Sequence, residues 1–250
     1  MNQQFIMEVC IDSVASALAA EAGGAQRVEL CDNLMEGGTT PSAGMLHTCL
    51  KSTSLEVMVM IRPRGGDFLY DEVEFEVMKQ DVLAAKAAGA HGVVFGLLDA
   101  NGHIDAVRTR ELIALARPMQ VTFHRAFDMT SDPHQALDVL IQLGVERVLT
   151  SGQEAEAHKG IPLIKALAAQ SRGRIAVMAG GGVNESNIAE ILTQTGINEI
   201  HLTGRHKVPS KMIYRNERVF MGVPHAPEYE KLITDPSRIR HMRESWQKQF

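Results

Sequence analysis

Asp132-Pro-His-Gln-Ala-Leu-Asp-Val-Leu-Ile-Gln-Leu-Gly144-Val-Glu-Arg147-Val-Leu-Thr150 holds one complete helix-then-strand unit. Asp132 can accept hydrogen bonds from the first free backbone N–H groups of a helix. Pro133 suits the first helical position because the N–H it lacks has no partner there anyway. Gly144 stops the helix, and Arg147 to Thr150 is a short run suited to a strand. The same grammar repeats on both sides. Ser13 can cap a helix that stops at Gly23-Gly24, Asp71 with Glu74 reads as a capping box for a helix closing at Gly89, and Asn184 and Gly196 bracket another. Strand-like runs begin near Phe5, Arg27, Glu56, Gly92, Gln120, Arg147, Arg174 and Glu199, at separations of 22, 29, 36, 28, 27, 27 and 25 residues. That length fits a βα unit. Eight units at even spacing predict an α/β fold, a single (β/α)8 barrel over residues 1–250, rather than an open doubly wound sheet. Residues 205–250 fall outside the repeat. They read as a C-terminal extension, basic from Arg205 to Arg218 and ending in a helix from about Pro227 to Lys248.

Apolar residues make up 45% of the 250, enough for a large core, and the net charge of −5 argues against a nucleic-acid-binding face. No apolar run approaches the ~20 residues that cross a bilayer, and the first eight residues lack the basic start of a signal peptide. Three cysteines, Cys10, Cys31 and Cys49, fit a reducing compartment better than a disulfide framework. The expectation is a cytoplasmic protein with neither membrane nor nucleic acid as partner.

The loops that follow strands, such as Asp32 to Ser42, Arg64 to Tyr70 and Asp99 to Asp105, are long and polar, which puts the working face at the strand carboxyl ends. Strand residues alternate between lumen and helix-facing sides. Since the helix-facing set must be apolar, the lumen should receive Glu8, Cys10, Arg27, Glu29, Cys31, Arg62, His124, His201 and Thr203. Arg125 is the position where a bulge would break this parity. Glu8, Glu29, Arg27 and Arg62 could form a structural ion-pair layer, but with His124 and the cysteines added the set reads as the lining of a site. Ala179-Gly180-Gly181-Gly182 and Thr203-Gly204-Arg205 resemble barrel loops whose backbone N–H groups hold phosphate. Arg62-Pro63-Arg64 adds guanidiniums for a carboxylate or phosphate. Cys10 and Cys31, ending adjacent strands on the same side, suit Cu(I).

These motifs together resemble the CutC copper homeostasis family. The resemblance rests on Met7-Glu-Val-Cys10, Arg27-Val-Glu-Leu-Cys31, Glu36-Gly-Gly-Thr-Thr-Pro-Ser42 and Ile61-Arg-Pro-Arg-Gly-Gly-Asp-Phe68. It continues through Val121-Thr-Phe-His-Arg-Ala-Phe-Asp128, Arg147-Val-Leu-Thr-Ser-Gly152, the glycine triplet and Tyr214-Arg-Asn216. It implies a (β/α)8 barrel, a cytoplasmic location, dimerisation with a second copy, and a role in copper tolerance with copper on Cys10 and Cys31. Two function classes follow. One is a copper-handling protein binding Cu(I) at the mouth. The other is an isomerase, lyase or hydrolase acting on a small anionic or phosphorylated metabolite. In the second, His124 or Glu8 serves as acid or base, Arg62 and Arg64 stabilise developing negative charge, and Asp128 orients Arg125 or the histidine, or binds a divalent ion. Arg64, Ser151, Arg27, Glu29, His201, Gly180, Gly181, Gly182, Thr203 and Gly204 are then the anion-binding candidates.

Overall fold

A computed structural model describes residues 5–221 and 227–247. Eight parallel strands close into a barrel: β1 (Ile6–Ile11), β2 (Arg27–Leu30), β3 (Glu56–Met60), β4 (Gly92–Phe95), β5 (Gln120–Phe123), β6 (Arg147–Thr150), β7 (Ala176–Gly180) and β8 (Glu199–Leu202). The ring shuts where β1 pairs with β8, Met7 level with Ile200. Helices α1 (Val14–Gly23), α2 (Ala43–Ser52), α3 (Glu72–Ala88), α4 (Ala106–Ala116), α5 (Pro133–Leu143), α6 (Ile161–Ser171) and α7 (Ile188–Thr195) each follow their strand.

The punctuation works as its chemistry demands. Ser13 accepts the Ser16 N–H, Asp71 and Glu74 form a reciprocal capping box, and Asp132 accepts from His134 and Gln135 ahead of Pro133. Gly24, Gly89 and Gly144 end their helices in the left-handed conformation. The seventh helix starts later than expected, at Ile188. Asn184 instead builds the preceding turn, its N–H on Asn187 Oδ1.

The terminal segment needs a larger correction. Residues Arg205–Pro209 (β9) and Glu230–Thr234 (β10) pair antiparallel, and the last helix, α8 (Pro236–Gln247), begins only after them. α8 packs against both α1 and α7, so it completes the ring of eight helices. The hairpin is therefore an arm inserted in the eighth strand-to-helix connection. The arm is hidden in the sequence because Glu230–Thr234 lies in a polar stretch next to a helix pattern, and its strand partner lies more than twenty residues upstream.

The barrel wall divides the apolar core in two. Val9, Ile11, Val28, Leu30, Val57, Val59, Val93, Phe95, Val121 and Phe123 face the helices in one large cluster, while Cys10, Cys31, Met58, Met60 and Val94 form a small one inside the lumen. Each fully buried aliphatic side chain contributes about 1.5–3 kcal/mol, so the outer cluster dominates stability. The lumen is where polar groups interrupt that pattern. Among the described residues no helix is long and apolar enough to cross a membrane.

Candidate functional site

The lumen holds two polar layers. The deeper lies toward the amino ends of the strands and contains Glu8, Arg27, Arg147 and Glu199, all buried. Arg27 donates through Nε to Glu8 and through Nη2 to Glu199 at 2.5 Å, and Arg147 donates through Nε to Glu199 and through Nη1 to Thr122 Oγ1 at 3.2 Å. Burial raises the Glu199 pKa, but Arg147 and Arg27 outweigh it and hold the carboxyl below 4.5. Two cations face two anions here, which is the condition for keeping such charges out of water. Arg27 thus belongs to an ion-pair layer beneath the mouth, rather than to the mouth as its strand parity suggested, and Glu8 joins the two layers, its Oε1 3.9 Å from His201 Nε2. Parity reports the side of the sheet a residue faces, and says nothing of depth along the barrel axis.

The upper layer surrounds a cavity of about 320 Å³ at the strand carboxyl ends, lined by Cys10, Glu29, Arg62, His124, Asp128 and His201 together with Glu36, Gly37, Met60, Phe68, Arg125, Met129 and Leu149. Cys10 Sγ in its lining lies 3.9 Å from Cys31 Sγ behind it, and Cys31 Sγ is 3.6 Å from Glu29 Oε2. The hydrogen bond with Cys10, reinforced by burial, pushes the Cys31 thiol well above 9.0. All three cysteines are free and buried. His201 Nε2 meets Glu29 Oε2 at 2.9 Å. Burial opposes a charge on His201, yet the Glu29 carboxylate raises its pKa well above 6.5. The Glu29 carboxyl is in turn held below its ordinary value by His201 despite its burial, so each group favours the charged form of the other.

His124 is set differently. Its Nδ1 accepts the Ala126 N–H at 3.1 Å, and burial, with Arg62 nearby, lowers its pKa to about 4. The ring is therefore neutral, and its hydrogen sits on Nε2, which has no hydrogen-bond partner among the described residues. In this arrangement His124 offers a donor to the cavity; the acid-or-base role expected from sequence would require the Nδ1 lone pair that Ala126 occupies. Two glycines make room for the histidines. A Cβ on Gly96 would lie 2.6 Å from the His124 ring, and one on Gly180 would lie 3.0 Å from His201 Cβ.

Arg62 uses Nη1 on the carbonyls of Glu36 and Gly38 and Nη2 on that of Gly66, and its guanidinium lies over Phe68. Its Nε has no partner among the described residues. Asp128 orients Arg125, as one sequence reading had it, accepting from Nε at 2.8 Å and also from Ser151 N and Oγ. Arg125 Nη2 donates to Ser151 Oγ at 2.7 Å. The lumen parity ends at His124, where a 3₁₀ turn from Arg125 to Met129 begins, which is why Arg125 reaches the mouth although its strand side pointed elsewhere.

Other expected anion-binding residues do not line this cavity. Arg64 turns outward to Glu74 and Asp67. Gly180 is part of the barrel wall, Gly181 lies under the Arg125 guanidinium, and Gly182 is beside Glu156. The Gly181 carbonyl accepts from Ala157, and that of Gly182 accepts from Asn184 and Asn187. Thr203 and Gly204 are covered by the arm and α8: Thr234 Oγ1 donates to Thr203 O, and a Cβ on Gly204 would meet Ile239.

Residues 5–206 match the CutC family. The chain belongs to that family. Relatives include a copper homeostasis protein cutC homolog of Mus musculus, 53% identical over 94% of this chain and 87% of that protein, and its Homo sapiens counterpart at 52% over the same shares. A CutC family protein of Bacteroides thetaiotaomicron is 51% identical over 95% of this chain and 96% of its own. Among solved structures, a Streptococcus agalactiae protein bearing the CutC name superposes with a TM-score of 0.77 at 36% identity, over 80% of this chain and 99% of that one. A phosphoribosylanthranilate isomerase from Pyrococcus furiosus, at TM-score 0.58 and 11% identity over 98% of this chain and all of its own, shares the barrel alone. CutC membership ties the chain to copper homeostasis and adds to the interest of the thiol pair beside the cavity.

Proposed function

We propose that this CutC protein binds Cu(I) as cargo between Cys10 and Cys31 in the cytoplasm. The observation that carries the reading is the 3.9 Å approach of two buried free thiols, packed with Met58 and Met60, of which Cys10 lines the cavity. Thiolate and thioether donors select a soft ion, and buried reduced cysteines suit a reducing compartment. Glu29, whose Oε2 touches Cys31, can take part in holding the ion. His124 is poorly placed to do so, since its Nε2 carries a hydrogen. The metabolite-enzyme alternative draws less support, because Arg64, Thr203 and Gly204, on which an anion site was expected to rest, face away or are covered.

Cysteine must lose its proton to bind, so affinity for Cu(I) should strengthen as pH rises. Competition titration against a chromogenic Cu(I) chelator should show about one ion per chain, and Cys10→Ser with Cys31→Ser should remove it. Unchanged competition by the double variant would sink the proposal.

A further inference from the structure

We infer that the cavity above the thiol pair is a binding site for a small hydroxycarboxylate, held between His124, Arg62 and Glu29. This goes beyond the metal reading and does not depend on it.

Three buried polar atoms lack a hydrogen-bond partner among the described residues and belong to side chains lining this one cavity: His124 Nε2, Arg62 Nε and Glu29 Oε1. The residues are 4%, 5% and 2% exposed. Leaving a buried polar atom unpaired costs about 1–3 kcal/mol, so three around one space describe the complement of a ligand. Their polarities define it. The His124 tautomer fixed by Ala126 makes Nε2 a donor, and Arg62 Nε can only donate, so both call for an acceptor. Glu29 Oε1 accepts and calls for a hydroxyl. Charge narrows the choice further. Glu29 is paired with His201 and Arg125 with Asp128, while Arg62 has carbonyl partners and no carboxylate partner among the described residues. An uncompensated guanidinium beside a neutral imidazole donor suits a carboxylate, whose charge-assisted bonds are stronger than those of a neutral carbonyl. The cavity, about 320 Å³, is at the small end of the ~300–1,000 Å³ typical of small-molecule sites, and Phe68, Met60 and Leu149 supply an apolar wall for a short carbon chain.

The test compares probes on the wild-type protein by calorimetry. D-gluconate and D-glycerate carry both groups, hexanoate lacks the hydroxyls and sorbitol lacks the carboxylate. Either hydroxycarboxylate should bind about tenfold or more tightly than hexanoate and sorbitol, the loss expected when one buried polar group is left unpaired. His124→Phe should weaken the hydroxycarboxylate by a similar factor. The acids should bind the wild type equally well in the presence of a strong Cu(I) chelator, which separates a failure here from a failure of the metal reading. Sorbitol or hexanoate binding as tightly as the acids would overturn the inference. So would the absence of saturation by both acids below about 50 mM.

Discussion

Two features of its surroundings set the state of His124. The Ala126 N–H fixes its tautomer, while burial removes its capacity for charge and lowers its pKa to about 4. In the unfolded chain an imidazole takes its proton near 6.5. Between those values the unfolded state binds more protons, so the stability associated with a neutral buried ring is complete above pH 6.5 and is lost as pH falls toward 4. Chemical denaturation of wild type should lose about 2 kcal/mol more than His124→Asn between about pH 7 and pH 5. Equal losses would show that the ring can be protonated where it stands. Sequence alone marks His124, Cys10, Glu29 and His201 as lumen residues because each interrupts an otherwise apolar alternation. It cannot show which nitrogen of His124 is engaged, since that depends on a turn geometry two residues further on. Nor does it place Arg64 outward, because Glu74, which captures it, lies on α3 and is already read as part of the capping box.

At the scale of strands, the starting points were legible because each is preceded by a helix stop and opens a β-rich run. The order of layers inside the barrel was not. Arg147 and Glu199 stand at the first residues of β6 and β8, where a sequence reading treats charge as the end of a loop, yet both point into the lumen and complete the ion-pair layer with Glu8 and Arg27. Arg27→Met should lower stability by about 3–5 kcal/mol in urea unfolding, since it leaves Glu8 a buried carboxylate with no cation hydrogen-bonded to it. Adding Glu8→Leu should recover part of that loss. A single substitution that costs nothing would mean water reaches the layer.

For the whole molecule, the β9–β10 arm presents Met212, Ile213, Tyr214, Phe220 and Met221, all well exposed, with Ile213 fully so. Apolar side chains on one protruding segment suit burial against another copy, the partner the family resemblance implies. Sedimentation should report a dimer, and Ile213→Asp should shift it toward monomer with the barrel's thermal unfolding unchanged; a monomeric wild type would contradict this assignment. The deeper ion layer also bears on how the ring is assembled. In a chain leaving the ribosome in order, Arg27 and Arg147 share a single carboxylate of that layer, Glu8, until residue 199 emerges. Up to that moment the incomplete layer holds two guanidiniums against one carboxylate, and burying it in that state is electrostatically opposed. Glu199 arrives on the strand that also joins β1, so charge neutrality of the layer and the last seam of the wall come together.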